Sequence, residues 1–175
     1  MKVQYKWEAI TSLQKNMYLD QRKESTKSLL WHLIVCLSVE MKLKLEKQSW
    51  VQEGEYITII TYGSGVHWAL EYQRQHIDVS LHILDLRTLL PLDYNAIREA
   101  VATTGKVLIL HEDTLTGGIG GEISAWIGEH CFELLDAPVM RCASLDTPIP
   151  FNMELEQNFM AKSRLHEYVQ RLMEY

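Results

Sequence analysis

The sequence predicts an α/β protein, a three-layer α/β/α sandwich of about four or five strands. Two observations carry that reading. From residue 56 onward, short runs of β-branched and aromatic residues alternate with longer segments whose apolar residues recur at helical spacing. The strand-like runs are also apolar throughout rather than on alternate residues, as parallel strands covered on both faces must be.

Tyr56–Tyr62 (YITIITY), bounded by Gly54 and Gly63, is the first buried strand. Gly63-Ser64-Gly65 opens a helix over Val66–Gln75, with Val66, Ala69, Leu70 and Tyr72 on one face. Val79–Leu84 is the second strand. Asp93 is placed to cap a helix running through Thr103, and Gly105 to stop it. Lys106–His111 (KVLILH) forms the third strand, and the loop DTLTGGIGG leads into a helix over Glu122–Leu135. Pro138 ends that stretch before a short fourth strand, Val139–Ala143, and Pro148 and Pro150 punctuate the next loop. Leu165, Tyr168, Val169 and Leu172 give the final segment, Ala161–Met173, an amphipathic helical pattern.

The organisation changes near Val51. All nine glycines lie at or after Gly54 and all four prolines at or after Pro91, whereas residues 1–50 hold eight of the ten lysines. Those first residues carry net charge +4 and residues 51–175 carry −10. Residues 1–50 are therefore read as a leader of unassigned structure and 51–175 as the folded domain. Within the leader, the apolar run Leu29–Val39 is eleven residues long, too short for a membrane span of about 20, and no small-residue cleavage site follows it.

Net charge −6 over the 175 residues excludes a basic nucleic-acid binder. Three cysteines, Cys36, Cys131 and Cys142, without a C-x-x-C pair exclude disulfide scaffolds and zinc ribbons and fit a reducing cytoplasm. Cys131 and Cys142 read as buried packing residues. The predicted setting is cytoplasmic, with no membrane partner.

No complete catalytic constellation is visible. Gly117-Gly118-Ile119-Gly120-Gly121 lies between a strand and a helix, where exposed N–H groups can cradle an anion, but it matches neither the dinucleotide fingerprint nor a P-loop. A close-packed turn is the alternative. His111, Glu112 and Asp113 end the third strand, and their alternating directions forbid a shared metal. His111 alone is a candidate for a site or subunit contact at the carboxyl edge of the sheet, against a locally hydrogen-bonded loop histidine. Arg87, between apolar residues after the second strand, needs a partner, either Asp85 or an anion from elsewhere. Ser64 and Ser144 lack a nucleophile-elbow context.

Four blocks in order, ITIITYG (57–63), LDLRTLLPLD (84–93), GKVLILHEDTLTGGIGGEI (105–123) and LDAPVMRCASLDTPIPF (135–151), resemble the C-terminal domain of the β part of 2-oxo acid dehydrogenase E1 components. His111-Glu112, Glu129–Phe132 and Asp146–Pro148 are similar to the branched-chain type, and the tail from Asn152 is similar to chains in which α and β parts are fused. The resemblance implies a transketolase C-terminal domain-like fold, with a mostly parallel five-stranded sheet and one antiparallel strand. It implies a thiamine-diphosphate and Mg²⁺-dependent enzyme that decarboxylates a 2-oxo acid and acylates lipoyl on its E2 partner. The thiazolium adds to the keto carbon and holds the electrons left by departing CO₂.

In that family the cofactor motifs lie on domains with no counterpart in this sequence, and residues 1–50, without Pro or Gly, do not match the family's connector. The chain is thus expected to be a piece of a longer E1 or a domain with an unrelated leader. Alone it is expected to be inactive and to bind no thiamine diphosphate and no metal. Arg87 and His111 are the candidates near the active-site funnel. Trp126, Phe132, Glu129 and Glu133 are the interface candidates. The implied partners are the E1 α part, a second β part across a two-fold axis, and the E2 peripheral subunit-binding domain. The alternative is a stand-alone, non-catalytic interaction module on the same fold.

Overall fold

The computed structural model describes residues 49–175. Residues 1–48 of the leader, including the Leu29–Val39 run and Cys36, lie outside the described residues, while Ser49 and Trp50 belong to the first strand. Five strands form one sheet: β1 (Ser49–Gln52), β2 (Ile57–Thr61), β3 (Leu81–Asp85), β4 (Val107–Thr114) and β5 (Met140–Ser144), in the spatial order β1-β3-β2-β4-β5. The pairs β2–β3, β2–β4 and β4–β5 are parallel, and β1 pairs antiparallel with β3. The sheet is thus mixed, as the resemblance implies and as the run of apolar strands alone does not.

Five α-helices cover it: α1 (Ser64–Gln75), α2 (Tyr94–Thr104), α3 (Gly120–His130), α4 (Met153–Phe159) and α5 (Leu165–Met173). On one face Ile57, Ile59, Leu108 and Leu110 pack against Ala69 and Tyr72 of α1 and Leu165, Val169 and Leu172 of α5. On the other, Ile60, Leu84 and Ile109 meet Ile97 and Val101 of α2 and Ile123 and Ile127 of α3. Successive residues of one strand therefore enter different cores, which is why the strands lack polar alternation. Thr58 is an exception: its Oγ1 donates to Ala100 O at 2.9 Å, so the hydroxyl is satisfied inside the α2 side.

The helix ends follow their chemistry. Asp93 accepts from Ala96 N–H at 3.1 Å, and Gly105 closes α2 in the left-handed conformation at φ 67°. Two helices differ from expectation, and two elements are additional. The helix expected over Glu122–Leu135 begins at Gly120, stops at His130 and continues as a 3₁₀ turn, Phe132–Leu134, because Cys131 leaves helical geometry at φ −129°. The final helix starts at Leu165, preceded by a 3₁₀ turn over Ala161–Arg164. β1 and α4 are additions that local pattern did not reveal. Cys131 and Cys142 are buried free thiols, and burial pushes the Cys142 thiol up to about 12. Among the described residues no helix is long and apolar enough to cross a membrane.

Candidate functional site

Parallel register brings the carboxyl ends of three strands to one edge. Thr61 of β2 is level with Asp85 of β3 on one side and Leu110 of β4 on the other. Arg87 and His111 therefore share this edge with β2 between them, about two strand spacings or ~10 Å apart in the sheet direction. Arg87 adopts φ 53°, a left-handed conformation unusual for a residue with a side chain. Asp85 holds it there: Oδ1 accepts the Arg87 N–H at 3.0 Å, and Oδ2 lies 3.9 Å from Nε. That pairing is long and its guanidinium is exposed, so it leaves donors turned to solvent and contributes little to stability.

His111 is fully buried inside β4, not in a loop. The ring stacks over Tyr62, with centroids 6.2 Å apart and planes 7° from parallel. Its other walls are glycine. A Cβ on Gly120 would fall onto His111 Nε2 and 2.7 Å from Cδ2, and one on Gly118 would come 2.9 Å from Cε1. The glycine-rich turn is thus a close-packed cradle, and the imidazole fills it. Burial lowers the His111 pKa, opposed by the nearby Asp113 charge and by a hydrogen bond with the Asp113 backbone, and aided by Arg141. The Tyr62 hydroxyl is raised, first by burial and then by Asp113 and Glu112.

Residues that the sequence left unassigned lock the loop. Asp146 accepts from Thr116 N–H at 2.9 Å and Thr116 Oγ1 at 2.6 Å, and these bonds hold its carboxyl below the usual range. Arg141 Nη1 donates to Leu115 O at 3.1 Å. Asp146 thus occupies the anion's place that a phosphate cradle would offer at Thr116. Its only signal in the sequence is the Asp-Thr-Pro turn, thirty residues from its partner.

The interface candidates separate. Trp126 is half-buried, stacked on His130 at 4.8 Å and beside Tyr94 at 4.7 Å. Phe132, at 76% exposure, Glu129 and Glu133 are solvent-facing. A second apolar stretch, missed in the sequence, is more open: Ile149, Phe151, Met153 and Leu155 are all exposed, Phe151 completely. Only Met153 and Leu155 of these lie on a helix, α4; Ile149 and Phe151 precede it.

These residues do not fit a pyrophosphate–Mg²⁺ group. Among the described residues no cluster of three His, Cys, Asp or Glu side chains can hold a metal, and His111 occupies the glycine turn. What the edge offers is a rigid polar surface without a paired nucleophile and base.

Residues 46–164 match the family model for the transketolase C-terminal domain. Over 121 residues the chain is 47% identical to 2-oxoisovalerate dehydrogenase subunit beta of Bacillus subtilis, covering 67% of this chain and 37% of that protein. It is 37% identical over 133 residues to the Pseudomonas aeruginosa protein of the same description, covering 76% and 37%. With pyruvate dehydrogenase E1 component subunit beta of Porphyra purpurea it shares 42% over 120 residues, 67% and 36% of the two chains. The chain therefore spans little more than a third of these relatives. Among solved structures, a split-gene transketolase in an inactive β4 tetramer is similar in fold, with TM-score 0.59 and 21% identity over 74% of this chain and 42% of that one.

Proposed function

We propose, from the premise that this chain belongs to the transketolase C-terminal domain family, that it is the subunit-contact domain of a 2-oxo acid dehydrogenase E1 component of the branched-chain type. The observation that carries this reading is the 47% identity to a 2-oxoisovalerate dehydrogenase β subunit, confined to 37% of that subunit's length. The whole enzyme would decarboxylate a branched-chain 2-oxo acid and acylate lipoyl on E2, with thiamine diphosphate and Mg²⁺ held by other domains. The cofactor supplies the electron sink for decarboxylation; this domain supplies none of its ligands.

Its own residues have two tasks in that assembly. The carboxyl edge, with Arg87 open to solvent and His111 rigidly packed, would border the active-site funnel, where a fixed guanidinium fork suits a carboxylate of substrate or partner. Apolar and acidic surfaces would hold the E1 α part, the second β part and the E2 peripheral subunit-binding domain. Glu122, Glu129, Glu133, Asp136, Glu154 and Glu156 are all exposed, and a basic partner would be steered to them.

The test is sedimentation of the full chain, followed by titration with an E2 subunit-binding domain at low and high salt. Self-association should bury upwards of about 2,000 Å² if obligate. Binding to E2 should weaken as ionic strength shortens the Debye length to about 10 Å and below. A monomer that ignores E2 at low salt refutes the contact role and favours a stand-alone module.

A further inference from the structure

The chain between β5 and the last 3₁₀ turn is an Ω-loop, residues 145–159, whose neck is closed by Leu145 N–H donating to Phe159 O at 3.1 Å. Arg164 seals the same neck, with Nη2 donating to Ala143 O at 2.7 Å and to Phe159 O at 3.1 Å. The leading limb of the loop is stiff. Thr147 and Ile149 each precede a proline and are confined to extended backbone, while the rings of Pro148 and Pro150 fix φ at about −65°. Asp146 ties one end of this arch to Thr116, and Asn152 caps α4 at the other. Held in this way, the arch turns its apolar side chains outward: Ile149 is 68% exposed and Phe151 completely. A second apolar surface lies on α2 and α3, where the rings of Tyr94, Trp126 and His130 stand in a row, 4.7 and 4.8 Å apart. Trp126 rests on the core beneath it, while Tyr94 is 46% exposed and His130 is open to solvent. His130 Nδ1 donates to Trp126 O at 3.0 Å, which fixes its ring in the row.

We propose that the arch of one copy of this chain seats on the aromatic row of a second copy, with Ile149 and Phe151 lying across Tyr94 and Trp126. The inference rests on the self-contact read above and gives it its surfaces. A stiff proline-bearing segment and an aromatic-lined surface are the two halves of polyproline recognition, and this chain carries both. Preorganisation makes such a segment bind, since its backbone has little freedom left to lose. The arch does not meet the row of its own copy, because Phe151 is completely exposed. One foreign partner would cover one surface and leave the other in water; a second copy covers both. Burying an aromatic side chain removes about 150–250 Å² from water, so Phe151, Ile149 and the open parts of Tyr94 and Trp126 bury on the order of 500 Å² together. A single contact of that size is no larger than ordinary lattice packing. Two reciprocal contacts in a two-fold pair reach about 1,000 Å², where specific but weak interfaces begin. Charge opposes the pairing. Glu122 and Glu129 are the i−4 and i+3 neighbours of Trp126 on α3, and Glu154 and Glu156 follow the arch on α4, so both rims are acidic.

The experiment is sedimentation velocity of the full chain from low to high micromolar concentration, with Phe151→Ala and Tyr94→Ala. Ile77→Ala, at another exposed apolar residue on the turn before β3, is the control. The chain should pass from monomer to dimer, and more readily as salt rises and screens the acidic rims, opposite in sign to the E2 titration. Phe151→Ala should weaken dimerisation by about 30-fold or more, since both contacts lose their anchor, and Tyr94→Ala by about tenfold. Ile77→Ala should change nothing. An equimolar mixture of the two variants is the sharpest arm. Phe151→Ala keeps its row and Tyr94→Ala its arch, so the mixed pair regains one contact and should dimerise more tightly than either variant alone. The peptide acetyl-Asp-Thr-Pro-Ile-Pro-Phe-Asn-amide should compete with dimerisation and shift the Trp126 indole N–H in NMR spectra, while its Phe-to-Ala counterpart should not. Undiminished association in both single variants, no recovery in the mixture, or a chain that stays monomeric at every concentration each overturns the assignment. In all three cases the E2 titration still decides the wider contact role, so the two readings fail separately.

Discussion

Replacing Gly120 by alanine should destabilise the domain, while the same change one residue later should not. Both glycines open α3, so helix propensity alone favours alanine at each by up to about 1 kcal/mol, less in the first turn. They differ in what a methyl group meets. At Gly120 it would fall on the buried His111 ring and 3.3 Å from Ile109 Cγ2, where neither neighbour has space to yield. Overpacking of that kind costs about 1–3 kcal/mol. At Gly121 the nearest atom is Arg141 Nη1 at 3.4 Å, an ordinary contact. The expected outcome is a loss of about 1–2 kcal/mol for Gly120→Ala and a change between zero and a slight gain for Gly121→Ala.

Urea unfolding followed by circular dichroism measures the pair. With a slope of about 1–3 kcal/mol per molar urea, the two midpoints should differ by roughly 1 M. A double-mutant cycle identifies the cause. His111→Ala vacates the space the new methyl needs, so the double variant should lose less than the sum of the single losses, by about 1 kcal/mol. Equal midpoints for the two glycine variants, or strict additivity in the cycle, would refute the claim that the glycine turn exists to receive His111.

The pH dependence of stability has a defined sign. Burial lowers the pKa of His111 and of His82 in the folded state, so below about 6.5 the unfolded chain binds more protons and stability falls with acidification. Each histidine contributes at most about 1.4 kcal/mol per pH unit; urea midpoints that stay level or rise between pH 7.5 and 5.5 contradict this. Cys142 and Cys131 should resist alkylation in the folded chain, because burial raises both thiols and hides them. Peptide mass mapping with and without urea checks this, and native-state labelling of either refutes it. The chain alone should show no Mg²⁺-dependent thiamine diphosphate binding tighter than about 10 µM, roughly −7 kcal/mol; calorimetry decides.

How much was legible follows from the range over which each feature is determined. Asp93 and Gly105 were readable because a cap and a stop act on residues three or four away. The apolar runs of β2 and β4 were readable because burial on both faces leaves a local mark. β1 was not: Ser-Trp-Val-Gln is half exposed and becomes a strand only through pairing with β3 across some thirty residues. α4 stayed hidden because only Phe159 of its seven residues is buried, so no periodicity exists, and Asn152 defines its start by accepting from Glu154 and Leu155 N–H. His111 was singled out for its place at a strand end and weighed against a locally hydrogen-bonded loop histidine, a choice that its sequence neighbours do not decide. The glycines seven and nine residues later are what make it dry.

The distribution of satisfied polar groups then separates the two ends of the sheet. At the carboxyl edge Asp85 is engaged with Arg87, Asp146 with Thr116, and the imidazole of His111 is enclosed by Tyr62 and glycine. A catalytic centre needs the opposite, with a nucleophile and a base in reach of each other and of solvent-borne substrate. This edge is preorganised and among the described residues brings no such pair together, which fits its proposed place beside a site whose reacting groups come from elsewhere. At the amino end Glu53, Glu55 and Glu99 line an open cleft with no lysine or arginine among its described lining residues. The satisfied polar groups of the carboxyl edge thus support the contact role proposed above, by giving it a rigid wall.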